Sequence, residues 1–158
     1  MDIMGKNLNE YISVSKLPVV IYVVWTIFSA LISIAMPLLG LLLALPGLVI
    51  GLGLPVYVGW SATKNKAFEL TQAAVAGAVY GLIAAIAGGI VGIIMSLVGA
   101  GTTAAISGDT TSAMIGGGIG FVAAIIGMII AMIVFPILGA ILAAIGAFVA
   151  QSMSGSKK

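Results

Sequence analysis

The sequence contains no cysteine, no histidine and no arginine, and its 158 residues include only six lysines and four acidic residues. Without cysteine and histidine, the chain lacks disulfides, thiolate nucleophiles, Cys/His zinc sites, histidine-ligated haem and the most common general base. The net charge of +2 is divided among three segments, so it forms no basic footprint for nucleic acid. We therefore expect no catalytic, cofactor-binding or metal-binding residues, no nucleic-acid partner and no enzymatic activity.

The shortage of charge also determines the class of protein. Charged residues make up 6% of the chain and hydrophobic residues 62%, whereas an ordinary soluble domain is roughly 25% charged. A chain with so little polar surface cannot cover a fold that faces water. The composition therefore predicts an all-α, multi-pass protein of the cell membrane, with the lipid bilayer as its surroundings.

The charged residues leave three uncharged stretches, and these predict the membrane spans. Residues 17–63 would form a helix of roughly 70 Å, more than twice the hydrocarbon thickness of about 30 Å, so this stretch must fold back. Proline and glycine between residues 37 and 47 mark the turn. The glycine- and threonine-rich residues 99–111 predict a polar loop. Four spans are expected: residues 17–36, 40–62, 70–99, and 114–135 with a continuation past a proline kink to about 150.

Two features leave alternatives open. The apolar run after Pro136 is too short to cross a bilayer alone, so a five-segment arrangement with a short final piece is the alternative to a kinked fourth span. Residues 37–47 and 136–146 also share one spacing of Pro, Leu, Gly and Ala, which indicates either an inverted repeat or a coincidence in a glycine-rich chain.

The lysines predict the orientation, because cytoplasmic loops are enriched in basic residues. With four spans, all of them fall on one side and only Asp109 on the other, so both termini are expected in the cytoplasm. Residues 1–16 are predicted as a cytoplasmic segment, with an interfacial amphipathic helix suggested by the helical spacing of Met4, Leu8, Tyr11 or Ile12, and Ser15. The transmembrane bundle covers residues 17–150, and residues 151–158 form a polar cytoplasmic tail. The lysines are Lys6, Lys16, Lys64, Lys66, Lys157 and Lys158.

Glycine is the most informative residue type, and it recurs at helical steps of three or four residues in three predicted spans. Lipid provides no hydrophobic drive between helices, so their association depends on the close backbone contact that small residues permit. These positions are predicted to pack against other helices, of the same chain or of neighbours: Gly47, Gly51, Gly77, Gly81, Gly88, Gly92, Gly116, Gly120 and Gly127.

The first predicted span carries a polar stripe instead. Tyr22, Thr26, Ser29 and Ser33 share one helix face, and Tyr80 of the third span needs a partner for its hydroxyl group, which this stripe could supply. The stripe either lines a polar path or hydrogen-bonds to helix backbone. No span contains an ionisable Asp, Glu, Lys, Arg or His residue, which argues against an ion-coupled pump or a voltage sensor.

The chain resembles a group of small glycine-rich, four-helix membrane proteins of unknown function from archaea. The resemblance rests on Pro37-Leu38-Leu39-Gly40, followed by Gly47, Gly51, Tyr57 and Gly59, a short loop with lysines, and Ala76-Gly77-Ala78-Val79-Tyr80-Gly81. It implies a prokaryotic membrane protein and assigns no functional residue.

Two functional hypotheses follow from these observations. The first is a non-catalytic structural or accessory subunit that associates, with its own copies or with other membrane subunits, through Gly/Ala-rich helix faces. The alternative is a small oligomeric channel or carrier lined by the hydroxyl stripe of the first helix. The surroundings of that stripe discriminate between the two hypotheses.

Overall fold

The fold is helical throughout, apart from a short hairpin at its start. A computed structural model describes residues 2–155; Lys157 and Lys158, which contribute to the predicted orientation, lie outside this range. Strands β1 (Asp2–Ile3) and β2 (Lys6–Asn7) pair antiparallel. The helices are α1 (Leu8–Ala35), α2 (Pro37–Leu42), α3 (Ala44–Lys66), α4 (Leu70–Ser107) and α5 (Thr110–Gly155).

Four helical segments are long and apolar enough to cross a membrane, and they confirm the predicted all-helical class. They correspond to α1, to α2 and α3 together, to α4 and to α5. The fourth segment is one continuous helix through Pro136, so a separate fifth segment is not present in the described chain. Residues 37–47 form α2 and the start of α3, whereas residues 136–146 lie inside α5. Their shared spacing therefore does not mark a structural repeat.

The helices pack in the ring order α1, α4, α5, α3, and α4 and α5 share the most extensive contact. Gly77 lies against Gly139, whereas Gly117, earlier in α5, lies against Ala100, later in α4, so these two helices run antiparallel. In the same way, Gly47 of α3 lies against Trp25 of α1, and α3 returns alongside α1.

The N-terminal hairpin closes one end of the bundle. The Gln72 side-chain amide donates to the carbonyl oxygen of Met4 at 2.9 Å, and the Tyr11 hydroxyl donates to that of Ile3 at 2.8 Å. The Tyr11 ring meets the buried Phe68 ring edge-on, with centroids 5.2 Å apart. The Lys6 ammonium lies 5.2 Å from the Phe68 ring centroid. Lys6, Lys64 and Lys66 are therefore at the same end, which we call the lysine end.

The helix predicted over Met4 is wrong, because residues 2–7 form the hairpin and Met4 occupies its turn with φ of 52°. Helix α1 instead begins at Leu8, nine residues before the predicted span. Asn7 caps it: the Asn7 side chain accepts from the backbone N–H of Asn9, and Glu10 accepts from the backbone N–H of Asn7. This capping box satisfies N–H groups that the first turn leaves unpaired, and it explains the early start.

The polar loop predicted over residues 99–111 is also wrong in its extent. Helix α4 continues to Ser107, and only Gly108 and Asp109 separate it from α5. Each glycine or threonine disfavours a helix by no more than about 1 kcal/mol. Helical backbone satisfies its own hydrogen bonds, and Gly117 packs on Ala100 across the two helices, which together outweigh that cost. Gly108, with φ of 68°, makes the turn.

Small residues occupy the interior, while large apolar side chains point outward. Leu41 and Leu45 are each 73% exposed, and Met114 is 77% exposed. Such an inside-out distribution is expected for helices surrounded by lipid, where outward apolar groups carry no penalty and small residues bring backbones together. Most of the buried apolar residues are alanines, namely Ala62, Ala73, Ala76, Ala84, Ala85, Ala143, Ala147 and Ala150.

Candidate functional site: helix-packing faces and a cavity with two tyrosines

Two of the predicted packing glycines bring the backbones of α4 and α5 into direct contact. A Cβ atom at Gly77 would overlap the carbonyl oxygen of Gly139, and its distance to the Gly139 carbonyl carbon would be 2.7 Å. A Cβ atom at Gly81 would overlap the carbonyl oxygen of Phe135 and lie 2.6 Å from its carbonyl carbon. A larger residue at either position must therefore push the two helices apart.

A second close contact, between α3 and α5, was not among the predicted packing positions. A Cβ atom at Gly59 would overlap the carbonyl oxygen of Ala143, and one at Gly146 would overlap that of Val56. Gly139, Ala143 and Gly146 form a small-residue stripe at steps of four and three on α5. This spacing is the signal that could have identified the contact.

Three other predicted glycines face side chains rather than backbone. A Cβ atom at Gly88 would lie 2.9 Å from the Tyr22 hydroxyl oxygen, and one at Gly47 would lie 3.1 Å from Nε1 of Trp25. At Gly120 the nearest atom would be Cβ of Ser96 at 3.6 Å, an ordinary van der Waals distance. A larger residue is therefore tolerated less well at Gly88 and Gly47 than at Gly120, where a methyl group fits.

The remaining four predicted packing positions need a correction. No atom lies within 4 Å of a Cβ built at Gly51, Gly92, Gly116 or Gly127, so these glycines do not pack within the described chain. On α5 the reason is rotation about the helix, since adjacent residues are 100° apart. Gly117 and Met128, rather than Gly116 and Gly127, point at α4.

All four open glycines border gaps in the bundle. Gly51 lines a cavity between α1, α3, α4 and α5, Gly92 and Gly127 line a gap beside Thr26 of α1, and Gly116 lines a gap beside Ser96 of α4. The predicted stripes left open whether these positions pack within the chain or against neighbours, and at Gly51 and Gly92 the space beside the glycine is not filled by another helix. A glycine stripe thus marks where helices can meet, and the surrounding helices decide whether they do.

The hydroxyl stripe of α1 hydrogen-bonds to its own helix. Thr26 donates to the carbonyl oxygen of Tyr22 at 2.8 Å, Ser29 to that of Thr26 at 3.1 Å, and Ser33 to that of Ser29 at 2.8 Å. Ser33 lies on the exposed surface against Gly40. The donor groups of these three side chains are therefore occupied, as serine and threonine commonly are inside helices.

Tyr80 is buried, with 4% of its surface exposed, and it lines the same cavity as Tyr22. The stripe does not provide the predicted partner, because no residue in the range 2–155 hydrogen-bonds with the Tyr80 hydroxyl. The cavity has a volume of about 210 Å³ and is lined almost entirely by apolar groups. We call it the tyrosine cavity.

Asp109 is the acidic residue at the end of the bundle opposite the lysine end. Its carboxylate accepts hydrogen bonds from the Ser112 hydroxyl and from the backbone N–H groups of Thr111 and Ser112. The Ser112 hydroxyl, followed by the backbone donors, lowers the pKa of the Asp109 carboxyl below its usual range. This is helix capping, and within residues 2–155 no group of three acidic side chains gathers to hold a metal ion.

No protein-family model matches the chain, and no curated protein and no solved structure matches it either. Its function must therefore be argued from three features of its own geometry. These are the closed glycine contacts, the open glycine positions and the tyrosine cavity.

Proposed function

We propose that this is a non-catalytic protein of a prokaryotic cell membrane that crosses the bilayer four times and assembles, with its own copies or with other membrane subunits, through small-residue helix faces. The observation that carries the proposal is the contrast between glycines of one helix. Gly139 and Gly146 of α5 are closed by α4 and α3, whereas a Cβ atom at Gly116 or Gly127 would meet no atom of another helix within 4 Å.

The unoccupied positions lie on one side of α5, where Gly116 borders a gap toward α4 and Gly127 a gap toward α1 and α4. Gly116, Ala123 and Gly127 are all exposed and follow one another at steps of seven and four, so they share one side of α5. We call this surface the open face of α5. Like the contact between α4 and α5, this face consists of small residues. Small residues let the backbone of another helix come into direct contact. A helix of a second chain fits this face for the same physical reason.

The channel alternative receives less support. A hydrated path needs polar groups directed at it, and the hydroxyl groups of Thr26, Ser29 and Ser33 are engaged by their own helix backbone. The tyrosine cavity is apolar and presents two tyrosines rather than a row of hydroxyls. Because these hydroxyl groups hydrogen-bond to helix backbone, the stripe favours an accessory role over a channel.

The proposed orientation places both termini in the cytoplasm. Lys6, Lys64 and Lys66 lie at one end of the bundle, and Asp109 lies at the other. The Lys64 ammonium lies 4.5 Å from the Trp60 ring centroid, which combines a basic residue with an aromatic ring as membrane interfaces commonly do. Basic residues of short loops favour the cytoplasmic side.

The assembly proposal is tested with Gly116→Leu and Gly127→Leu in one chain. A Cβ atom at either glycine would meet no atom of another helix within 4 Å, so we expect the substitutions to leave the fold of the single chain intact. We expect wild-type protein in mild detergent to be larger than one chain by multi-angle light scattering, and the double variant to be monomeric. The matched control, Ile129→Leu, changes an outward residue of the same helix with little change in volume and should stay assembled.

Two results would overturn the proposal. One is a strictly monomeric wild-type protein, and the other is a double variant that assembles as well as the wild type. Solute flux in liposomes that is abolished by bulky residues at Ser29 or Ser33 would support the channel instead.

A further inference from the structure

We propose that the tyrosine cavity binds a neutral, lipid-soluble molecule of about the size of one substituted ring, whose oxygen accepts a hydrogen bond from the Tyr80 hydroxyl. This goes beyond assembly, because it assigns a small-molecule site inside a single chain. The open face of α5 is not part of it.

The cavity has room for a molecule of that size. Its volume is about 210 Å³, and a cavity of about 150 Å³ lined by apolar side chains binds benzene. All four long helices contribute to its wall, through Tyr22 of α1, Pro55 of α3, Tyr80 of α4 and Phe135 of α5. Where Gly81 contacts the backbone of Phe135, α4 and α5 are already at minimum separation, so they cannot collapse further into the space.

The Tyr80 hydroxyl supplies the polar requirement. The residue is 4% exposed, lines the cavity, and finds no hydrogen-bond partner among residues 2–155. A buried donor without an acceptor is unfavourable, and a ligand oxygen in the cavity would relieve that cost. Hydrocarbon would fill the volume but leave the donor unpaired. The cavity therefore favours an oxygen-bearing compound over a plain acyl chain.

The position of the cavity requires the ligand to be neutral and soluble in lipid. Tyr80 is ten residues beyond Leu70, which begins α4, and thus about 15 Å along the helix, near the middle of a hydrocarbon core of about 30 Å. The lining contains no charged side chain to compensate an ion. Leu48 and Leu52 at its edge are 60% and 48% exposed, so the opening faces outward between helices rather than toward water.

The first experiment compares two probes of nearly equal shape, duroquinone and hexamethylbenzene. In duroquinone, two carbonyl oxygens on the ring replace two of the methyl groups of hexamethylbenzene. The protein carries fluorinated tyrosine, and ¹⁹F spectra are recorded in mild detergent at equal mole fractions of probe in the micelle. We expect duroquinone to shift the Tyr80 resonance in a saturable manner. Hexamethylbenzene should bind more weakly and leave that resonance nearly unmoved.

Variants separate the hydrogen bond from the volume. Because one hydrogen bond contributes a modest net free energy, Tyr80→Phe should weaken duroquinone binding by roughly 2- to 12-fold and leave hexamethylbenzene unaffected. Binding to this variant is followed at the fluorinated Tyr22 resonance, since Tyr22 lines the same cavity. Tyr57→Phe is the matched control, since Tyr57 is exposed on α3 and outside the cavity lining. Gly51→Leu should abolish binding of both probes, because the Cβ position at Gly51 is open and the leucine side chain would occupy the cavity that Gly51 lines.

Equal binding of the two probes, or a Tyr80→Phe variant that binds duroquinone as tightly as the wild type, would overturn the proposal and leave a cavity that takes hydrocarbon only. Unchanged binding in Gly51→Leu would place the site elsewhere and overturn it as well. Both probes are compared in the same protein preparation. The difference in their binding therefore does not depend on the oligomeric state, which tests the assembly proposal.

Discussion

The two ends of the bundle are built from similar residues but packed very differently. At the lysine end, Tyr11 and Phe68 are 0% and 2% exposed, and the backbone of α5 touches α3 at Gly59 and α4 at Gly77. At the other end, Ile106 and Met114 are 88% and 77% exposed, and the nearby glycines are largely open.

The difference arises from helix length. Helices α4 and α5 contain 38 and 46 residues, whereas α1 and α3 contain 28 and 23. All four are aligned at the lysine end, where Ser15 of α1 lies beside Ala76 of α4 and donates to its carbonyl oxygen at 3.4 Å. The extra turns of α4 and α5 therefore lie at the far end, where two helices rather than four are available to cover each other.

A glycine stripe has no fixed role in this bundle. Where four helices surround it, the stripe is buried and sets the distance between backbones. Where the contacts are looser, part of the stripe stays uncovered: Gly116 borders a gap toward α4, and Gly127 borders a gap beside Thr26 of α1. These two positions belong to the surface that we propose for assembly. Changes at the two ends should therefore have different consequences.

The largest expected contrast concerns the side of the membrane on which each end lies. The chain has no cysteine, so single cysteines can be labelled without background. In intact cells, Thr110→Cys should react fully with an impermeant maleimide, while Asn65→Cys and Ser154→Cys should react only after permeabilisation; all three residues are exposed. External labelling at Ser154→Cys would exclude four spans with both termini in the cytoplasm.

The next largest effect is expected from an aromatic residue of the lysine end. Phe68→Ala removes a buried ring that packs edge-on against Tyr11, so it should lower the free energy of unfolding by about 3–5 kcal/mol. Phe121→Ala, in the far half of α5, should cost clearly less because Phe121 is 36% exposed. Reversible unfolding in detergent, followed by circular dichroism, measures the loss of unfolding free energy in each variant. Equal losses in the two variants would contradict the proposed difference in packing between the two ends.

Glycine substitutions should give a smaller but more specific difference. Gly77→Leu forces α4 and α5 apart, and overpacking of this kind typically costs about 1–3 kcal/mol. The Cβ atom of Gly127→Leu would meet no atom of another helix, and leucine is the better helix former, so the monomer should be unchanged or more stable by up to about 1 kcal/mol. Melting temperatures in a detergent that keeps both variants monomeric provide the comparison. If Gly127→Leu lowered the melting temperature and Gly77→Leu did not, the assignment of Gly77 as a closed contact and Gly127 as an open position would be reversed.

The smallest effect is expected at Asp109, which caps α5. Hydrogen bonds from Ser112 and Thr111 lower the pKa of the folded-state carboxyl below the ordinary aspartate value of about 3.9. A lowered folded-state pKa means that the cap stabilises the helix above that ordinary value and that this contribution is lost as the pH falls through the folded-state pKa. Amide exchange at Thr111 and Ser112 should therefore show increased opening on acidification, after correction for the intrinsic rate. Asp109→Asn, which does not titrate, should show no such trend.

Much of the helix content was predictable because it depends on the order of apolar and charged residues. The predicted spans overlap the observed helices, and a break ends α1 at Met36, but residues 37–47 of the predicted turn are helical except at Leu43. The errors occurred at helix ends, over residues 2–16 and 99–111. There, hydrogen bonds from Asn7 and Asp109 and packing of α4 on α5 determine where a helix begins or ends, and glycine and threonine content is a weak guide.

The packing positions show a different limit. Gly77 and Gly81 were identified from their spacing, but so were Gly116 and Gly127, which have no neighbour in the chain. Spacing shows that two glycines share a helix face, but it does not predict where the neighbouring helix lies. Gly59 and Gly146 were missed for the same reason, because their contact joins residues far apart in sequence.

The sequence by itself determined that the chain is helical and apolar, with four spanning-length segments and few charges outside them, because these properties depend on residue type and on neighbours along the chain. Only the tertiary structure decided which glycines are closed, where α1 and α3 leave α4 and α5 uncovered, and that Tyr80 faces a cavity without a partner. The physical reason is that close packing acts over a few ångströms between residues distant in sequence, so it depends on the relative lengths and positions of whole helices.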